Sequence, residues 1–200
     1  MKTFEEKSRK YYNRIADNYD HSFDSLVTNK FKNFLLEDIV IHPNDAVLDI
    51  ACGNGTLLKM LSERWKIRGY GLDIADKMIR NAKIKCPNMT FEVSSCDHSS
   101  LPSQSIDIII VCAAYHHFPD VKAFAQEANR LLKTSGRLYI ADMYFPFIRF
   151  LTNPLLRHWK AGDVKCYSPK EISANFEAVG FEQIGFKKRG FMQIVKMRKR

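Results

Sequence analysis

Several residues are spaced along the chain as groups that bind a nucleoside or move a proton would be. Asp49 closes the apolar run Ala46-Val47-Leu48-Asp49-Ile50, and Gly53 and Gly55 follow at once. Glycine allows a tight turn and lets backbone N–H groups approach a ligand closely. The loop departs from the dinucleotide pattern G-x-G-x-x-G, because Leu58 stands at the third glycine position. Asp49 would also oppose a pyrophosphate, whereas it favours a cofactor carrying cationic groups. No G-K-[ST] follows, which excludes a P-loop. Asp73 lies 20 residues beyond Gly53 at the end of the next apolar run, where a carboxylate can accept both hydroxyls of a ribose or simply cap the following helix. His116 and His117 follow a fourth apolar run and are candidates for a general base; the alternative is that one of them packs or caps the next helix.

The elements that must hold these groups alternate. Residues 3–40 read as helical, with Phe31, Phe34, Leu35, Ile39 and Val40 near helical spacing. Strands are expected at 46–50, 67–72, 90–93, 106–112 and 137–141, and helices at 56–65, 75–85 (Asp76 as N-cap) and 121–133, with Thr134-Ser135-Gly136 as the turn into the fifth strand. This order predicts a parallel sheet with helices on both faces. Ser168-Pro169-Lys170-Glu171 has capping-box spacing at the start of another helix, and 181–187 with 191–197 form a hairpin around Arg189-Gly190. At least one strand there must run antiparallel to the rest.

The 200 residues suffice for one sizeable core, and the composition, 46% hydrophobic and 26% charged, is that of a globular protein. The polar N-terminus has no apolar h-region, and the longest apolar run, 106–115, is too short to span a bilayer. Five cysteines without a C-x-x-C pair argue for reduced thiols in a cytoplasmic protein. The net charge of +9 is concentrated in the last 14 residues, which carry seven Lys or Arg and no acid. Such an end suits RNA or an acidic partner, or else is a solvated surface; it lacks an aromatic stacking platform, which favours the latter.

In motif order and spacing, residues 45–142 resemble the class I S-adenosylmethionine-dependent methyltransferases, especially the small-molecule branch that includes the ubiquinone/menaquinone-biosynthesis enzymes. The resemblance rests on Val47-Leu48-Asp49-Ile50-Ala51-Cys52-Gly53-Asn54-Gly55, on Gly71-Leu72-Asp73-Ile74-Ala75 with Met78, on Cys96-Asp97-His98 through Leu101-Pro102, and on Tyr115-His116-His117-Phe118 with the helix and strand after it. Asn13 to Asp20 and Ala178-Val179-Gly180-Phe181 are similar to the family's entry segment and final helix end. Ile106 and Thr134-Ser135 depart from the pattern at packing and turn positions.

The resemblance implies a Rossmann-like, seven-stranded, mostly parallel α/β sheet with helices on both faces and a C-terminal antiparallel hairpin, in one domain. It implies S-adenosylmethionine as cofactor and a small-molecule methyl acceptor. Gly53, Gly55 and Ala51 would line the methionine part, and Asp49 would hold the loop or reach the amino group. Asp73 would take the ribose, Ile74 and Met78 the adenine faces, and Asp97 the adenine amine with His98 beside it. Ala113 would bring its main chain to the methionine amine, and Tyr19 would close over the carboxylate. His117, His116 and Tyr115 are the catalytic candidates, with Asp142 and Tyr144 as further pocket candidates.

Residues 1–40 are expected to form a helical cap and 143–167 an insertion, together roofing the acceptor site. Within the insertion, Tyr144, Phe145, Phe147, Phe150 and Trp159 are expected as walls or core, and Arg149, Arg157, His158 and Lys160 would suit an anionic acceptor. A nucleic-acid methyltransferase is the alternative raised by the basic end, but Cys112-Ala113-Ala114-Tyr115 stands where amino-methylating members carry [DNS]-P-P-[YFW], and no Pro-Cys motif occurs. A binding module that keeps the cofactor without catalysis is the other alternative. The acceptor atom (O, N or C) and the oligomeric state stay open.

Overall fold

The computed structural model describes residues 3–146, 153 and 162–200. Phe147, Arg149, Phe150, Arg157, His158, Trp159 and Lys160 lie outside the described residues.

Seven strands form one sheet: β1 (Ala46–Ile50), β2 (Arg68–Asp73), β3 (Thr90–Val93), β4 (Ile106–Cys112), β5 (Leu132–Met143), β6 (Phe181–Arg189) and β7 (Met192–Lys199). Their spatial order is β3-β2-β1-β4-β5-β7-β6. The first five run parallel, and β7 is antiparallel to both β5 and β6. This is the Rossmann-like mixed sheet with a terminal hairpin that the sequence implies. The chain steps outward from β1 to β3 and then returns to place β4 on the other side of β1. A crevice must open where the order reverses, beyond the ends of β1 and β4.

The sheet is covered on both faces, which is why its central strands read as unbroken apolar runs. Along β4, Ile108 and Ile110 face one layer with Val47 of β1, while Ile109 and Val111 face the other with Leu48 and Ile50. The first layer is filled from helix α2 (Phe23–Leu36) by Phe31, Phe34 and Leu35, and from α3 (Thr56–Ser62) by Leu57, Leu58 and Leu61. Helix α4 (Asp76–Lys85) adds Ile79 and Ala82 to it. The second layer takes Phe124 and Leu131 from α5 (Val121–Leu131), and Ile172 and Phe176 from α6 (Pro169–Glu177).

Several boundaries differ from the sequence expectation for local reasons. Residues 3–40 form α1 (Phe4–Ile15), a 3-10 segment (Ala16–His21) and α2. Ser22 restarts the helix by accepting a hydrogen bond from Ser25 N at 3.1 Å. Asp76 is not the cap of α4. Ala75 holds that position, its N–H donates to Asp73 Oδ1 at 2.8 Å, and Asp76 instead accepts from Asn13 Nδ2. The turn at 134–136 is contained within β5 as an irregularity, with Leu132 opposite Ile106 and Arg137 opposite Ile108. Ser135 takes a left-handed φ of 63° there. The capping box at Ser168 and Glu171 forms as its spacing predicts.

The basic hairpin is largely answered from within. Lys187 and Lys196 pair with Asp38, Arg189 with Glu37 and Arg198 with Glu182, while Lys199 Nζ donates to the carbonyls of Asn129 and Leu132. Among the described residues no helix is long and apolar enough to cross a membrane.

Gly71, in the middle of β2, tests the packing of the first layer. A Cβ there would stand 2.6 Å from Phe91 Cδ1 and 2.8 Å from Cys52 Sγ. Gly71→Ala is expected to destabilise the fold by about 1–3 kcal/mol in urea titration, the usual cost of an overpacked core. A loss below about 0.5 kcal/mol, within the range of neutral surface changes, contradicts this packing.

Candidate functional site

At the reversal point β1 and β4 both end in a sharp turn made by a non-glycine residue. Ala51 has φ 59° and Ala113 has φ 54°. A left-handed alanine costs about 1–2 kcal/mol, and two on neighbouring strand ends mark a place where the backbone is held for a purpose. Gly53 (φ 53°) and Gly55 (φ 77°) carry the chain into α3. A Cβ at Gly53 would meet nothing within 4 Å, so its main chain is open on the ligand side.

The crevice above these turns has about 950 Å³ of space including its open mouth. Ala51, Gly53, Asp49, Asp73, Ile74, Met78, Ala113, Tyr19 and His117 line it, as the sequence anticipates for each. The N-terminal segment closes the other side, through Glu5, Ser8 and Tyr12 of α1, Tyr19 of the 3-10 segment, and Thr28 and Lys32 of α2.

Asp73 knits the site together. Its Oδ2 accepts from Gly53 N and its Oδ1 from Ala75 N, both at 2.8 Å, which ties the end of β2 to the glycine loop of β1. Burial pushes its pKa up to about 6, and these N–H donors hold back the rise. Asp49 is raised further, to about 8, by burial, partly offset by the Lys32 ammonium and reinforced by Asp73. Lys32 is itself buried, with its pKa lowered by desolvation, and its Nζ donates to Asn29 Oδ1 at 3.0 Å and Thr28 Oγ1 at 3.3 Å. Two carboxyl groups and a lysine suit a ligand carrying both charges. S-adenosylmethionine, with its sulfonium, ammonium and carboxylate, fits that donor set.

At the far wall the Tyr12 hydroxyl and His117 Nε2 are 3.2 Å apart and both residues face the crevice. His116 lies behind them. Its Nδ1 contacts Asp142 Oδ1 at 2.7 Å, and its Nε2 is 3.3 Å from Asp163 Oδ1. Burial opposes charge on His116, but the two carboxylates outweigh it and raise the pKa to about 10. His117 is lowered to about 4 by burial and by the neighbouring His116 charge.

Five expected site residues stand off the lining. Tyr115 is wholly buried among Phe118, Phe124, Tyr167 and Phe176, and its hydroxyl accepts from Asn175 Nδ2 at 3.3 Å. Its place in the aromatic core corrects the expectation of a catalytic tyrosine. Asp97 and His98 are not on the crevice lining, whose wall there is Ser94 and Cys96; the Asp97 carboxylate accepts from Ser95 Oγ. His116 is likewise off the lining, and so is Gly55, which packs against Ala82 of α4 and Phe91 instead. Conversely, Glu5, Tyr12, Lys32 and Asp163 were not singled out by sequence. Tyr12 and Asp163 meet the histidines across tens of residues, and the packing of α1 and α2 over the strand ends brings Glu5 and Lys32 to the lining, for which the chain carries no local signal.

A family model described as "Methyltransferase domain" matches residues 48–140. A curated relative, the ubiquinone/menaquinone biosynthesis C-methyltransferase UbiE of Rickettsia typhi, is 29% identical over 139 residues, 63% of this chain and 56% of that protein. The chain therefore spans little more than half of that relative's length. The demethylmenaquinone methyltransferase of Thermotoga maritima is 26% identical over 157 residues, 74% of this chain and 69% of that protein. Among solved structures, the YcgJ protein of Bacillus subtilis superposes with TM-score 0.73 at 19% identity, over 86% of this chain and 99% of that one. A Thermotoga maritima protein described as a possible histamine N-methyltransferase superposes with TM-score 0.74 at 16% identity, over 94% and 98%. Residues 48–140 thus match a methyltransferase domain, and the chain has the Rossmann-like fold of these solved structures. In sequence it is similar to the UbiE C-methyltransferases.

Two outcomes test the geometry. Asp73→Asn leaves one side-chain oxygen to serve two N–H donors, so S-adenosylmethionine affinity measured by calorimetry should fall tenfold or more, about 1.4 kcal/mol; an unchanged affinity contradicts the assignment. Asp49, protonated below about pH 8 in the folded chain, lowers stability as pH rises from 3.8 to about 8, because the folded state holds a proton the unfolded chain releases. A cation beside it favours the carboxylate, so cofactor binding near neutral pH should release a proton. The calorimetric enthalpy should then depend on the buffer's ionisation enthalpy, and Asp49→Asn should remove that dependence. An equal dependence in the variant contradicts the reading.

Proposed function

We propose that the protein transfers the methyl group of S-adenosylmethionine to a small-molecule acceptor. The observation that carries this is the crevice at the strand reversal, whose loop is tied by Asp73 and whose lining sets Asp49 and Lys32 beside the turn at Gly53. When bound, the cofactor supplies an electrophilic methyl group on a cationic sulfonium. Asp73 holds the ribose, Ile74 and Met78 the adenine, and Asp49 with Lys32 the charged methionine end. Such a displacement has a neutral leaving group, so alignment and exclusion of water provide most of the acceleration. The buried lining and the N-terminal helices serve both.

The acceptor takes the side bounded by Tyr12, His117, Phe118 and Pro119. Its wall is apolar except for the hydroxyl–imidazole edge, which suits a largely apolar molecule with one nucleophilic O, N or C atom. The UbiE relatives, named for C-methylation in quinone biosynthesis, support a ring carbon as one such atom. The internal pairing of the C-terminal cations with Glu37, Asp38 and Glu182 weighs against an RNA substrate.

Methyl-labelled S-adenosylmethionine with a panel of phenols, amines and quinol-like rings tests the proposal. Label transfer to at least one class supports it; tight cofactor binding with no transfer across the panel favours a non-catalytic binding module. With an active acceptor, Tyr12→Phe should lower kcat about tenfold or more through loss of the edge that orients the nucleophile, with little change in cofactor affinity. An unchanged kcat removes Tyr12 from the acceptor site.

A further inference from the structure

We infer that His116, His117 and Asp163 form a binding site for one divalent first-row transition metal ion, with zinc as the ion their geometry suits. His116 Nε2 and His117 Nδ1 lie 3.3 and 3.2 Å from the same oxygen, Asp163 Oδ1. One donor atom from each of the three residues lies within 4.8 Å of the others. Zinc bonded to nitrogen and oxygen at about 2.0–2.2 Å in a tetrahedral shell sets its ligand atoms about 3.3 Å apart, the spacing of each histidine nitrogen from Asp163 Oδ1. Three protein donors leave the fourth position to water.

The other nitrogen of each imidazole supplies a second argument. Metal-binding histidines usually have their remaining ring nitrogen held by an outer partner. His116 Nδ1 is held by Asp142 Oδ1 at 2.7 Å, and Asp142 Oδ2 also accepts from the His116 backbone N–H. His117 Nε2 is 3.2 Å from the Tyr12 hydroxyl. Both inner nitrogens are therefore turned toward Asp163. His117 Nδ1 is buried with no hydrogen-bond partner there, the condition a metal bond relieves.

Charge is the third. Asp142 and Asp163 side chains are only 4% and 9% exposed, and a divalent cation that displaces the His116 Nε2 proton to solvent would, with two neutral imidazoles, balance their two negative charges. The ion would clamp the turn after β4 to the segment after β5, which already meet where Val164 N and Lys165 N donate to His116 O. Its effect on the crevice is indirect: it fixes the His117 ring whose other edge, with Tyr12, faces the acceptor side. The inference is independent of the methyl-transfer reading.

The test uses the tag-free full chain, stripped with a chelator and dialysed against zinc, with bound metal counted by atomic emission. One ion per chain at micromolar zinc and a raised thermal midpoint are expected. Asp163→Asn and His117→Ala should each weaken zinc binding a hundredfold or more, and Asp142→Asn about ten- to a hundredfold. Cobalt in place of zinc should give the visible absorption of a tetrahedral nitrogen–oxygen site without thiolate charge-transfer bands. No binding to the wild-type chain overturns the proposal, as do retention of zinc by a folded Asp163→Asn, His117→Ala double variant and a thiolate spectrum from the cysteines. Calorimetry of S-adenosylmethionine on the stripped chain reports the cofactor reading separately, so either claim can fail alone.

Discussion

The crevice depends on one buried carboxylate. Asp73 sits at the end of β2 and accepts from the N–H of Gly53 across the sheet and from the N–H of Ala75 at the entrance to α4. Gly53 has no side chain with which to anchor the loop, so this contact sets its position together with the Cys52 N–H on the Leu72 carbonyl and the Asn54 amide on Asp20. Burying a carboxylate opposes its ionisation, visible in a pKa raised to about 6. Charge-assisted bonds to two backbone donors offset that penalty. The arrangement leaves lone pairs on both oxygens free for ribose hydroxyls. A single group thus shapes the loop and presents the acceptor atoms.

Around that centre the crevice has two chemical ends. Asp49 and Lys32, beside the turn at Gly53, form a polar end on the α2 and α3 side. Tyr12, His117, Phe118 and Pro119 form a mostly apolar end with one polar edge. Between them the N-terminal helices close over the strand ends, held by contacts to the sheet side: Asn54 and Lys85 bind Asp20, Arg80 pairs with Asp17, and Asn81 donates to the Ala16 carbonyl. These are partly exposed ion pairs and hydrogen bonds of modest strength individually. Such a closure is suited to opening for a ligand, whereas the sheet beneath it, with both faces packed, is not.

The parts of this protein that were legible in the sequence are those whose cause is local. A strand buried on both faces must be apolar throughout, so β1 and β4 announce themselves; the glycines and Asp73 are spaced by the strand–loop–helix unit that carries them. What was not legible depends on distant partners. Nothing near Ala113 in sequence says that an alanine will take φ 54°, because the strain is held by the turn's packing. Lys32 reads as one charge among the polar residues of a helix, and only the fold turns it inward. Asp163 and Asp142 reach His116 from the segment after β5 and from its end. The basic C-terminus looked like a free surface because its acids, Glu37 and Asp38, lie some 150 residues earlier. Tyr115 was drawn toward the site by its place beside the histidines, but the next turn directs its ring into the opposite layer.

The central claim is that this crevice holds an adenosyl cofactor with its ribose on Asp73. The most direct measurement is a crystal structure of the chain with S-adenosylhomocysteine, the demethylated form of that cofactor. The account predicts the ribose hydroxyls on the Asp73 carboxylate, the adenine against Ile74 and Met78, and the amino-acid end between Asp49 and Lys32. An adenosyl group bound outside the crevice, or seated in it with the ribose away from Asp73, would contradict it.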